Sequence, residues 1–368
     1  MNPINEAELS EAIKSANEPL RIVGGGTRQT LGNAVNASTT LSTAGMTGIT
    51  LLEPAALTLV VRAGTPLVDV QAALDAENLQ LPFEPMTHNT LLNTSGRSTI
   101  GGVVACNISG SRRIQAGACR DSLIGVRMVD GAGNILKNGG RVMKNVTGYD
   151  LVKLMAGSFG TLGVMTELSF KLLPKPATQA TVNLHGLNDA DGINVLCRAL
   201  GSPNDVTGVA FANGNAMIRI EGLLKSVDYR VGALKSLFAV HDITVDLNDT
   251  ATWASIGNVE HLAPDDGAIW RVSVKPTDGP KLVQNLRDAH VTLNAVYDWG
   301  GGLIYLSLPD DLNLRDHMGG FGGHATLIRG NGGGAPKMQP QNKLVAGIEQ
   351  GLRAKFDPRG ILNTGIMG

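Results

Sequence analysis

Hydrophobic and polar positions fall into short blocks whose spacing predicts alternating helices and strands. Residues 6–16 read as a short amphipathic surface helix, and the apolar run 20–23 reads as a strand that empties into Gly24, Gly25 and Gly26. Further strands are predicted around Ile49 and over 57–63. Residues 65–78 open on Thr then Pro, a favourable helix start, and place Leu67, Val70, Ala73 and Leu74 on one face. Residues 87–117 then run without a period. A stretch that long inside a compact domain is functional or disordered, and its apolar residues Ile100, Val103, Val104 and Ile108 favour a functional loop. Strand character returns at 123–129, turns at 130–134 and continues at Ile135. A helix at 149–156 and a strand at 163–173 follow, and Pro174 and Pro176 close this half.

From 178 to about 309 the pattern alternates strands (181–184, 208–212, 216–221, 268–274, 293–297, 303–308) with helices (193–200, 223–238). Another glycine-rich loop, a helix at 341–356 and a closing segment complete the chain. The expected fold is α+β: residues 1–176 as one domain, 177–318 as a smaller α/β cap, and 319–368 as a C-terminal segment returning to the first domain.

Composition narrows the function. Lys plus Arg (31) nearly cancel Asp plus Glu (32), with no block of like charge, which argues against nucleic acid; the pair Arg112-Arg113 is too small to change that. Glycine is the outlier, at 47 of 368 residues against a usual share of about 7%. It gathers in short aperiodic runs that let backbone approach a ligand closely. The three cysteines form no C-x-x-C pair, so neither a disulfide framework nor an iron–sulfur or zinc site is expected from this chain alone, and a reducing, cytoplasmic compartment fits best. The N-terminus does not read as a secretion signal, and no run of about 20 apolar residues is present to span a membrane.

Three segments carry candidate chemistry. A strand ending in Gly24-Gly25-Gly26 offers successive backbone N–H groups suited to a pyrophosphate, although such a triplet alone is more often a plain strand-to-strand turn. The corner Thr99-Ile100-Gly101-Gly102 offers donors and a hydroxyl in an apolar setting, as a flavin ring requires; the bland reading is a packing corner. The turn 157–163, with spaced glycines before a strand, is ordinary structure when taken alone.

In this order and spacing, residues 20–176 resemble the FAD-binding domain of the vanillyl-alcohol oxidase / p-cresol methylhydroxylase superfamily, with the run Gly157-Ser158 to Glu167 the most specific part. The resemblance implies FAD lying between two α+β subdomains. It would be held by Gly24, Gly25, Gly26, Thr27 and Arg28 at the first loop, by Thr99, Gly101, Gly102 and Ser109 at the second, and by Gly163 and Val164 at the last strand. Within that superfamily the chain is similar over most of its length to the FAD-binding E subunits of bacterial glycolate oxidases. The segments 64–67, 142–150, 322–326 and 356–358 carry this likeness. It implies a complex with a related flavin subunit and an iron–sulfur subunit, through which any membrane contact at the inner membrane would be made. Arg28 follows the first loop and no histidine lies nearby; Cys106 and Cys119 match no attachment motif, so the FAD is expected to be noncovalent.

Oxidising a 2-hydroxy acid needs a base for the hydroxyl proton and a cation for the carboxylate. His324, in a glycine-rich loop, is the candidate base and Arg329 the candidate clamp; equally, His324 can fix its loop or lie at a subunit interface. No spacing suggests a metal. Three readings follow: a flavin subunit of a 2-hydroxy acid oxidoreductase complex, a stand-alone flavin oxidase, or a non-catalytic scaffold.

Overall fold

A computed structural model describes residues 1–141 and 149–368; residues 142–148 of the segment 142–150 lie outside the described residues. Two sheets dominate. The first holds five antiparallel strands in the order Ile49–Glu53, Thr58–Arg62, Val164–Lys171, Leu123–Val129, Ile135–Gly139. Helix Leu67–Ala76 starts after Pro66 and buries Leu67, Val70 and Leu74 in the core beneath this sheet, beside Ile100, Val103, Val104 and Phe170. Strand Leu20–Val23 pairs in parallel with Thr39–Ser42, and helix Glu6–Ser15 buries Leu9 and Ile13 against that edge.

The second sheet has eight strands, in the order Ile243–Leu247, Thr178–Leu184, Asn215–Gly222, Val206–Ala212, Asn294–Asp298, Leu303–Leu308, Ala268–Val274, Gly323–Arg329, every neighbouring pair antiparallel. Both faces of its central strands are buried. On Val206–Ala212, Val209 and Phe211 face a core that also takes in Ile193, Leu196 and Leu282 of two covering helices. Ala210 and Ala212 face a second core with Trp253, Leu91 and Leu92, which joins this sheet to the loops of the first half. Alternation of side chains at a period of two makes one strand serve both layers.

Two boundaries differ from the sequence reading. Strand Gly323–Arg329 pairs with Ala268–Val274, so the eight-stranded sheet draws residues from beyond 318; glycines around Phe321 disguise that strand. The aperiodic stretch 87–117 folds as three short helices, Asn89–Leu92, Ile100–Ala105 and Arg113–Ala116, each too short to display a helical period. The end of the chain returns to the first half, where the Leu20 N–H donates to Ile361 O and the Ile22 N–H to Asn363 Oδ1.

Candidate functional site

The glycine runs after Val23 and before Val103 exist because two loops cross there almost backbone to backbone. A Cβ on Gly25 would sit 1.6 Å from the Arg97 carbonyl oxygen, one on Gly24 would sit 2.3 Å from Thr99 Oγ1, and one on Gly101 would sit 2.7 Å from Ala63 O. Gly26 adopts φ +74, the left-handed region. The crossing leaves a cleft of ≈ 370 Å³ whose lining includes Gly24, Gly25, Gly26, Thr27, Arg28, Thr99, Gly101, Gly102, Gly163 and Val164. The fold thus brings ten residues of the implied FAD set around one space, and Ser109 lines the neighbouring one.

No Asp or Glu lines this cleft, whereas Arg21, Arg28 and Lys337 do. Arg28 donates to Ser98 Oγ at 2.7 Å and to Met86 O, and its buried Nε has no partner. Lys337 donates to Thr30 O at 2.6 Å. An acid-free, glycine-floored cleft with apolar walls at Ile22, Val23 and Ala63 and one orphaned guanidinium nitrogen fits a dinucleotide. Cys106 lines the cleft as well; burial pushes its thiol up to about 11 and that of Cys119 higher still, so neither is a ready nucleophile.

Gly32, Cys106 and Phe159 also line a second chamber of ≈ 310 Å³, so the two spaces adjoin. Its walls include Arg113, Arg120, Arg271, His88, His324 and Tyr305, and again no carboxylate. The guanidinium carbons of Arg113 and Arg271 lie 4.2 and 5.2 Å from the Trp299 ring centroid. Trp299 is anchored by its indole N–H on Gly110 O at 3.0 Å. His88 is buried, takes φ +59, and has no partner at either ring nitrogen. Burial, then Arg28 and Arg271, lower its pKa to about 3. His324 is exposed at the chamber rim; burial of part of its ring, then Arg271 and Arg113, lower its pKa too.

Arg329 requires a correction. Its guanidinium donates to Leu91 O and Ala263 O, both at 3.0 Å, and to Leu262 O and Asp265 O, and it lines neither space. Four backbone carbonyls occupy the fork that a substrate carboxylate would need, so Arg329 ties down the loop bearing His88 instead. The guanidinium groups that line the chamber are those of Arg113, Arg120 and Arg271. The sequence reading met Arg113 only as part of a basic pair too small for nucleic acid, and it singled out none of Arg271, Tyr305 and His88. Among the described residues no group of three or more His, Cys, Asp or Glu is placed to hold a metal ion.

Comparison with known proteins agrees with this geometry. A family model described as "FAD binding domain" matches residues 1–139. The glycolate oxidase subunit GlcE of Escherichia coli (strain K12) is 33% identical over 365 residues, 98% of this chain and 95% of that protein. The glycolate oxidase subunit GlcD of Bacillus subtilis (strain 168) is 39% identical over 126 residues, 34% of this chain and 25% of that one. A solved structure of alkyldihydroxyacetonephosphate synthase superposes with a TM-score of 0.69 at 17% identity, over 99% of this chain and 76% of that chain, a likeness of fold alone. The chain carries an FAD-binding domain and belongs to the family of the glycolate oxidase subunit GlcE.

Proposed function

We propose that this chain is an FAD-binding subunit of a glycolate (2-hydroxy acid) oxidoreductase complex, holding FAD noncovalently in the cleft and the acid in the adjoining chamber. The observation that carries the reading is that an acid-free dinucleotide cleft opens into a chamber walled by three arginines and two histidines. Bound FAD supplies the acceptor for the hydride leaving the hydroxyl-bearing carbon. The rest falls to the chain. Gly24, Gly25, Gly26, Thr27 and Arg28 face the diphosphate, Thr99, Gly101, Gly102, Gly163 and Val164 the remainder of the cofactor, and Ser109 the chamber. Arg113 and Arg271 supply the positive charge that an acid group needs. Both imidazoles are neutral at pH 7, because their charged forms are disfavoured by burial and by the arginines. His324 is the base, since a proton taken at the exposed rim has a route to solvent, which the buried His88 lacks.

The names of the GlcE and GlcD relatives place both in glycolate oxidase, and a GlcD-like flavin subunit is the proposed partner. Electrons would leave through an iron–sulfur subunit, since the free thiols Cys106, Cys119 and Cys197 do not gather into a cluster. Among the described residues no helix is long and apolar enough to cross a membrane, and contact with the inner membrane is assigned to the partners. The test is the visible spectrum of the purified chain before and after acid precipitation. Bands at about 370 and 450 nm that move to the supernatant are expected of noncovalent flavin. A chain that stays colourless after reconstitution with FAD would leave the scaffold reading instead, and colour retained in the pellet would mean a covalent bond.

A further inference from the structure

The chamber carries more positive charge than one carboxylate needs. Arg113 and Arg271 share the Trp299 ring, and Arg120 stands exposed at the rim. Among the described residues none of the three takes part in a salt bridge. The acid nearest in sequence, Asp121, accepts the Ala118 N–H at 2.9 Å. Burial first, and then the charges of Arg271 and Arg120, hold the Arg113 guanidinium below its usual range, with Asp121 opposing them only in part. Like charges gathered without a salt-bridging acid cost stability, and a fold keeps such a cluster where a ligand supplies what is missing. A monoanion leaves one of the two Trp299 arginines unneutralised. A dianion matches both.

A second, independent observation concerns His88. The residue is 4% exposed, lines the same chamber and has neither ring nitrogen satisfied. A buried imidazole without partners is expensive unless a bound molecule completes it. A neutral ring offers one donor and one acceptor, and its N–H can donate to a hydroxyl oxygen.

We infer that this chamber binds a 2-hydroxy dicarboxylate, with Arg113 and Arg271 taking the two acid groups and His88 the 2-hydroxyl. The inference rests on the chamber being the acid-binding end of the FAD cleft, and it goes beyond glycolate, which carries one negative charge. Binding, rather than turnover, tests it. The purified, FAD-loaded chain is titrated by calorimetry at low salt with D-malate, L-malate, succinate, glycolate and inorganic phosphate. One malate enantiomer is expected to bind at least about tenfold more tightly than glycolate, which has one charge fewer, and than succinate, which lacks the hydroxyl. Arg113→Gln and Arg271→Gln should each weaken malate by about tenfold or more, and His88→Asn should bring malate down to the level of succinate. Where a Gln variant fails to fold, Arg271→Lys keeps the charge but loses the planar fork, and a weakened malate affinity is still expected.

Glycolate binding as tightly as malate, phosphate binding as tightly as malate, or malate binding untouched by Arg271→Gln would each overturn the inference. Repeating the titration without flavin separates the two levels of the argument. A chain that shows bound flavin but takes up no dicarboxylate defeats this inference and leaves the flavin reading intact. A chain that binds malate in this chamber yet never takes up FAD does the reverse.

Discussion

Two polar seams cross the boundary between the flavin half and the eight-stranded sheet, and they are built on opposite terms. In the first, Glu84 and Arg112 from the flavin half meet Arg219 and Glu221 from strand Asn215–Gly222. Arg219 lies 2.7 Å from Glu84 and Arg112 lies 2.6 Å from Glu221, with cross-contacts of 3.6 and 3.5 Å. Two acids face two bases, and Arg219 also lies 4.5 Å from the Trp253 ring centroid. Burial alone would raise the Glu84 carboxyl, but Arg219 and Arg112 outweigh it and hold it below the usual carboxylate range. The second seam is the chamber, where arginines and histidines meet with no acid. The lesson is that charge balance separates two uses of buried polarity at one boundary: the closed seam fastens the halves, and the open one waits for an anion.

The largest expected effect breaks the closed seam. Arg219→Met leaves Glu84 and Glu221 facing one arginine in a buried site, and loss of about 3–5 kcal/mol of stability is expected. Urea unfolding measures it without altering ionic strength. Arg271→Gln removes a cation that has no counter-charge, so its effect should stay under about 1 kcal/mol or be stabilising. Equal losses from both variants would collapse the distinction.

A smaller effect sharpens it through pH. Asp298 lies between the seams, accepting Ser111 Oγ at 2.8 Å and the Trp299 N–H at 2.7 Å. Burial pushes its carboxyl up to about 7, against the pull of those two hydrogen bonds. An unfolded Asp titrates near ~3.9. Between roughly pH 4 and 7 the folded chain therefore holds a proton that the unfolded chain has released, and stability falls as pH rises through that window, by at most about 1.4 kcal/mol per pH unit. Asp298→Asn, whose Oδ1 still accepts the Trp299 N–H while its Nδ2 can donate to Ser111 Oγ, should remove this slope. His88 has the opposite sign. Its folded pKa is about 3 against an unfolded value of ~6.5, so its contribution is intact above that value and lost as pH falls toward 3. His88→Gln should flatten the acid side of the stability profile and leave the window near pH 7 unchanged, as read from unfolding midpoints across pH.

The cleft and the two seams also differ in how visible they are in sequence. The strand into Gly24, the helix after Pro66 and the strands at 123–129 and 303–308 were legible because local period and punctuation coincide with them. The cleft was legible through a motif order that local chain geometry carries. The chamber was not, because His88, Arg113, Arg271 and Tyr305 come from four separate elements and meet only through the packing of the sheet on the loops. Arg329 misled for the same reason: its spacing from His324 says nothing of the carbonyls of Leu91 and Asp265, which are distant in sequence. Glu84 and Arg219 lie 135 positions apart, a pairing that no window of sequence reveals.

The smallest prediction takes the comparison to the surface. Arg97 and Asp69 form a salt bridge of 2.5 Å with side chains 62% and 52% exposed. The contact is as short as those of the closed seam, so distance alone would rank the pairs together. Solvent screens this one, however, and ordering two long side chains offsets the attraction. Arg97→Ala is expected to change stability by no more than about 0.5 kcal/mol, with any change shrinking in salt. Because the Arg97 backbone carbonyl lies against Gly25, the substitution leaves the loop crossing in place, and FAD retention, measured by equilibrium dialysis, should stay unchanged. A loss near that of Arg219→Met would mean that separation, and not charge balance within a buried site, governs both seams.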